Sequence, residues 1–262
     1  MVDFWREADQ IDLYDAGWTF DHLDPIFSEG PGPVFEGWTM LSALSGLVAR
    51  LRLGILVTGN TYRHPAVLAN MAATLDVASG GRLEIGLGTG WVEAEHAAYG
   101  IPLPSWKERF DRLEETCQVL HLLFTQEVAS FDGVYYQLEG ATALPKPVQQ
   151  PHPPIVIGGT GERRTLRIAA RWADQWNLPS GDPDTLAHKV EVLHGHCAEV
   201  GRDPAGIEVS VKAKADGDPH AFADLVGRYR AAGAGHVIAM FEAPFDPSKL
   251  APLAEAVGPM LR

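Results

Sequence analysis

Apolar residues recur along this chain with two alternating periods. Short apolar runs rich in Val, Ile and Leu give way to longer stretches whose apolar positions stand three and four apart, and the two kinds follow one another almost from end to end. The strand-like runs are 18–23 (WTFDHL), 51–59 (LRLGILVTG), 82–90 (RLEIGLGTG), 154–160 (PIVIGGT), 174–179 (DQWNLP), 207–215 (IEVSVKAKA) and 236–242 (HVIAMFE). Between them the longer period predicts helices, among them 33–50 (PVFEGWTMLSALSGLVAR), 64–80 (HPAVLANMAATLDVASG), 106–124 (WKERFDRLEETCQVLHLLF) and 162–173 (ERRTLRIAARWA). Strand and helix in strict alternation predict an α/β fold with a parallel sheet covered by helices.

One segment breaks the rhythm. At 128–154, Asp132-Gly133 stands between aromatic and β-branched residues, the signature of a hairpin, and a proline-rich run that cannot be helical follows. Because the alternation resumes beyond it, the segment reads as an insertion on the rim of a single domain over 1–262. Residues 2–17 predict a helix with Phe4, Ala8, Ile11 and Leu13 on one side, and no strand stands ahead of it. The expectation is therefore a (β/α)8 TIM barrel whose first strand is missing from this chain.

Charge narrows the partners. With 21 basic against 34 acidic residues the chain carries a formal charge of −13, which argues against nucleic acid and anionic membranes as partners. No run approaches the roughly 18 apolar residues of a membrane span, and the acidic, polar opening MVDFWREADQ is unlike a signal peptide, so a cytoplasmic protein is expected. Cys117 shares a helical stripe with Leu113, Leu120 and Phe124 and reads as a buried, reduced thiol. His194, His196 and Cys197 resemble metal ligands, yet residues two apart on a helix point to nearly opposite sides, and no metal is expected.

Glu84, Gly86, Gly88 and Gly90 alternate at a strand end. The run looks like the first motif of S-adenosylmethionine-dependent methyltransferases, but no second strand with an acidic end follows, and Trp91 occupies the third-glycine position of a dinucleotide fingerprint. Equally, the glycines could be small to admit a ligand or to allow close packing.

The stretch from Arg50 to Gly100, with FDGVYYQLEGA and LPKPVQQPHPPIVIGGTGERRTLRIAARWADQWNL beyond it, resembles the luciferase-like monooxygenase superfamily, most closely its branch that uses the deazaflavin coenzyme F420. The resemblance spans about residues 15–180. It implies a TIM barrel that works at the C-terminal ends of its strands and an oxidoreductase that moves a hydride between F420 and a small organic substrate. FMN with oxygen chemistry is the near alternative, and a barrel that binds cofactor poorly and catalyses nothing is a third.

Residue by residue, the resemblance places Asp21 and His22 beside the ring. His22 is the group next to the reacting carbon, and Asp21 either orients it or caps the following turn. A cis peptide without proline is implied at Leu56–Val57, against the back of the ring. Thr58 and Asn60 reach polar edges of the ring or the ribityl chain, and Gly88, Thr89, Gly90 and Trp91 lie against the cofactor. Gly158, Gly159, Thr160 and Gly161 form a turn for the ribityl phosphate, with Arg163 and Arg164 as partners of an acidic tail. In some F420-dependent relatives a proton-donating glutamate stands where this chain has Trp91, and Glu93 is about 200° round a helix from it. Substrate contacts are expected in the rim insertion and from Trp91, Trp176, Lys212 and Lys214. A homodimer is expected on the same grounds.

Overall fold

The computed structural model describes residues 1–26, 32–215 and 217–261. In chain order the elements are α1 (Val2–Gln10), β1 (Ala16–Thr19), α2 (Gly37–Ser45), β2 (Arg52–Ile55), β3 (Thr58–Gly59), α3 (Pro65–Ser79), β4 (Leu83–Gly88), α4 (Glu93–Ala98), α5 (Trp106–Thr125), β5 (Ala129–Asp132), β6 (Gln137–Ala141), β7 (Ile155–Gly158), α6 (Thr165–Trp172), β8 (Gln175–Leu178), α7 (Pro183–Val200), β9 (Glu208–Lys214), α8 (Pro219–Ala231), β10 (His236–Met240) and α9 (Leu250–Val257). Every predicted strand is present. The chain divides into two compact units, one of residues 18–46 and 52–155 and the other of 1–17, 47–51 and 156–262.

In the first unit β2 and β4 run parallel, with Leu53 opposite Leu83, and β3 continues along β4 with Gly59 opposite Gly88. Between β2 and β3 the Leu56–Val57 peptide is cis, as the resemblance implied. The bulge presses on β4. A Cβ on Gly86 would lie 1.9 Å from the Ile55 carbonyl oxygen, and one on Gly88 would lie 2.5 Å from Val57. Of the two readings of the glycine run, close packing is therefore the physical one, which removes the feature that suggested a methyltransferase.

One expectation changes in this unit. α2 is shorter than the apolar period predicted, because the Glu36 side chain accepts the Trp38 and Thr39 N–H groups and starts the helix there, while Gly46 ends it. The insertion does form the β5–β6 hairpin, whose loop packs Tyr136 on His64 at 5.1 Å, while its proline-rich end returns to the start of β4. Its loop N–H groups at Val134, Tyr135 and Tyr136 are gathered by Glu115 on α5, and Gln149 bonds the Leu83 carbonyl at the start of β4. Buried Asp76 holds the Val148 and Gln149 N–H groups beside it. The segment follows a helix and precedes a strand, so the chain meets it at the N-terminal ends of the strands. Cys117 is fully buried with the rest of its stripe.

In the second unit β7, β8, β9 and β10 are parallel neighbours in that order, with α6 packed on α7 and α8 on α9. α1 buries Trp5, Ala8 and Asp9, so Ala8 of the predicted face is buried as expected, while the helix ends at Gln10 before Ile11 and Leu13. Asp9 decides its orientation by accepting N–H groups from Ala49, Arg50 and Leu51. Phe4 packs half-buried against Phe241 and Phe245.

Candidate functional site

Three chain segments in the first unit leave their strands at the C-terminal end: Phe20–Asp24 after β1, Asn60–Arg63 after β3 and Thr89–Trp91 after β4. β1 has already ended at Thr19, so Asp21 and His22 are free of strand alternation and go separate ways. Asp21 turns inward. It is 3% exposed, accepts the Gly59 N–H at 2.9 Å and takes two bonds from the Arg63 guanidinium at 2.6 and 3.0 Å. Arg63 also reaches Glu36 at 3.2 Å, which ties the start of α2 to this ion pair.

His22 is held by another acid. Its Nδ1 lies 2.9 Å from Oε2 of Glu95, a residue of α4 that is 1% exposed. Glu95 also accepts the Leu23 and Asp24 N–H groups and the Tyr62 hydroxyl. Burial by itself would raise the Glu95 pKa, but the bonds from Tyr62, Leu23, His22 and Asp24 outweigh it and hold the carboxyl below its ordinary value. Burial and the same carboxylate push the Tyr62 phenol far up, so it stays a donor. An ionised carboxylate only accepts, so Nδ1 of His22 carries a proton directed at Glu95. The His22 ring meets the edge of Trp91 at 6.1 Å, and Trp91 is 60% exposed.

A second set of bonds shapes the turn after β4. Gly90 has φ +75°, and a Cβ there would meet the Thr61 hydroxyl at 2.6 Å. Its carbonyl accepts from buried Arg109 at 2.6 Å, and the Arg109 guanidinium lies 3.8 Å from the Trp106 ring centre. His96 donates from Nδ1 to the Val92 carbonyl at 2.7 Å, which leaves Nε2 to accept the Thr61 hydroxyl at 2.7 Å.

Against the sequence-derived candidates, the structure brings together His22, Trp91 and the strand ends that carry Leu56, Val57, Thr89 and Gly90. Those four are half-buried, and with exposed Trp91 they offer a largely apolar surface suited to a flat heterocycle. Thr58 and Asn60 differ from expectation. The Thr58 hydroxyl is fully buried and accepts from the Trp38 indole at 3.2 Å, while Asn60 Oδ1 accepts from Thr116 at 2.7 Å. Gly88 serves packing, as shown above. Asp21 does not orient His22.

The turn formed by Gly158, Gly159, Thr160 and Gly161 lies in the second unit. It does join a strand to a helix, with Arg164 at the N-cap of α6, but the Gly159 N–H is already bonded to the Asn177 carbonyl at 3.1 Å. Gly161 lies against Thr165, and Arg163 precedes the helix. Trp176 is fully buried, its indole donating to the Gly159 carbonyl, which removes it as a substrate contact. Lys214 is paired with Glu242 at 2.7 Å, and burial lowers the Lys212 pKa.

Glu95, Tyr62, Arg63, His96 and Arg109 were not singled out from the sequence. Their partners stand in other segments of the chain, so no local pattern marked them.

The luciferase-like monooxygenase family matches residues 1–216. An uncharacterized protein of Mycobacterium tuberculosis is 35% identical over 183 residues, covering 69% of this chain and 63% of that protein. The F420-dependent glucose-6-phosphate dehydrogenase of Microbacterium testaceum is 32% identical over 222 residues, covering 84% of this chain and 64% of the enzyme. The chain thus spans a little under two thirds of the length of these relatives. Among solved structures, an F420-dependent secondary alcohol dehydrogenase in complex with an F420-acetone adduct superposes with a TM-score of 0.87 at 19% identity, over 100% of this chain and 94% of that one. The coenzyme F420-dependent tetrahydromethanopterin reductase of Methanopyrus kandleri gives 0.83 at 17% identity, over 100% and 95%. Both likenesses show the fold, the luciferase-like TIM-barrel class.

Proposed function

Because the chain belongs to the luciferase-like monooxygenase family, we propose that it is an F420-dependent oxidoreductase that moves a hydride between the deazaflavin and a small alcohol or carbonyl compound. The observation that carries this reading is the placement of His22, its Nδ1 fixed by Glu95, at the strand ends that also bear the Leu56–Val57 bulge and exposed Trp91. Leu56, Val57, Thr89 and Gly90 would hold the ring. Bound F420 would supply the two-electron hydride acceptor or donor. Nε2 of His22 takes the hydroxyl proton of an alcohol, or returns it to a carbonyl oxygen in the reverse direction. Arg109 and Thr61 hold the Gly90 turn in place. Phosphate binding at the Gly158–Gly161 turn and pairing of Arg163 with an acidic tail are separate proposals, the first read by binding of inorganic phosphate and the second by weaker F420 affinity in Arg163→Gln.

Saturable quenching of F420 fluorescence on titration, together with weaker binding of FMN and no rise in melting temperature with S-adenosylmethionine, is the expected result. FMN is the specific rival because structural neighbours include a riboflavin lyase (RcaE) solved with modified FMN, with a TM-score of 0.71 at 18% identity. Tighter binding of FMN than of F420 would give the site to that cofactor. His22→Ala should lower kcat by about 100-fold or more with F420 affinity little changed. An unchanged kcat would remove His22 from the chemistry.

A further inference from the structure

We propose that Glu95 and Tyr62 are positioning residues that fix the tautomer of His22, holding the proton on Nδ1 so that Nε2 faces the substrate as a base. The proposal rests on the oxidoreductase reading for its catalytic consequence, but its structural content stands on the protein without cofactor.

The geometry gives Glu95 no other employment. Both of its oxygens are used: Oε1 collects the Leu23 and Asp24 N–H groups, and Oε2 collects His22 Nδ1 and the Tyr62 hydroxyl. The first pair anchors the backbone immediately after His22, so the same carboxylate sets both where the ring is attached and which way it points. Tyr62 is itself fixed, its ring stacked on His96 at 5.0 Å and packed on Gly59, where a Cβ would meet it at 2.8 Å. His96 is bonded at both nitrogens, so this stack has one arrangement. A carboxylate kept ionised by four donors has no proton to give His22. When Nε2 takes up a proton, the imidazolium that forms stays bonded to that carboxylate through Nδ1, and the charge created at the substrate side is met within one hydrogen bond. Trp91 and Phe20 flank the His22 ring on other sides and contribute no charge.

The test is nitrogen-15 NMR of the histidine side chains on the cofactor-free chain, with His22 assigned by comparison with His22→Gln. The expected wild-type pattern, read on the high-pH side of the ring's titration where the imidazole is neutral, is a protonated Nδ1 with an unprotonated Nε2. Glu95→Gln should disturb that pattern, and Tyr62→Phe, which removes a donor without touching the loop, should shift it less. With F420 bound, Glu95→Gln is expected to lower kcat by about tenfold or more and leave KM within a few-fold, with Glu95→Asp recovering part of the loss. An Nε2-protonated His22 in the wild type, or a tautomer and kcat unmoved in Glu95→Gln, overturns the proposal. If the NMR pattern is as expected while neither F420 nor FMN binds, the positioning stands and the oxidoreductase reading falls.

Discussion

Gly86 sits under Ile55 so closely that a β-carbon there would lie 1.9 Å from the Ile55 carbonyl oxygen. The contact is with backbone and not with the end of a flexible side chain, so no rotamer change relieves it. Gly86→Ala should therefore destabilise the protein by about 3 kcal/mol, the upper end for overpacking a core. Urea unfolding reads this directly. A midpoint within error of the wild type would mean that β2 and β4 are not packed as described.

Asp21→Asn separates a structural from a catalytic aspartate. Asp21 and Arg63 form a buried pair, and breaking it leaves the guanidinium of Arg63 without its main counter-charge, a loss of about 3 kcal/mol in stability. Turnover per folded molecule should stay within a few-fold, because Glu95 and not Asp21 holds His22. A large fall in kcat at unchanged melting temperature would reverse that assignment.

Stability should fall in acid, with a known sign. Burial pushes Glu95 and Asp9 up, but the hydrogen bonds each accepts hold both below their ordinary values, near 4.5 and 3.8. A carboxyl whose pKa is depressed by folding contributes stability that is complete above its ordinary value and is lost as pH falls through the folded value. The melting temperature of the wild type should drop as pH falls below about 5, and that of Glu95→Gln, lower at neutral pH, should drop less over the same window. Parallel curves for the two proteins would show that Glu95 is not held as an anion.

Trp91→Ala should separate function from stability. An indole this exposed contributes within about 0.5 kcal/mol to folding, so the melting temperature should hardly move. Removing the ring that stands beside His22 should lower kcat/KM roughly fivefold, about 1 kcal/mol of transition-state stabilisation. Steady-state kinetics and a thermal melt on the same sample check both halves.

The order of the elements is written along the chain. Alternating apolar periods placed every strand, because a strand with two covered faces and a helix with one leave different marks along the chain. The Asp132-Gly133 hairpin, the buried Cys117 and the bulge at Leu56–Val57 were legible for the same reason: each is a local pattern, or sits inside a stretch that resembles a known family. Which side chains meet was set by folding. His22 and Glu95 are 73 residues apart and Asp21 and Arg63 are 42 apart, and which of two neighbouring side chains met which partner depended on β1 ending at Thr19, two residues before Asp21. The glycine run at 86–90 read equally well as a ligand cradle, since a missing side chain looks the same in sequence whether a ligand or a neighbouring backbone takes its place. Composition marks 128–154 as a loop-rich insertion but carries no record of what it meets, His64 at one end of the strands and Leu83 at the other.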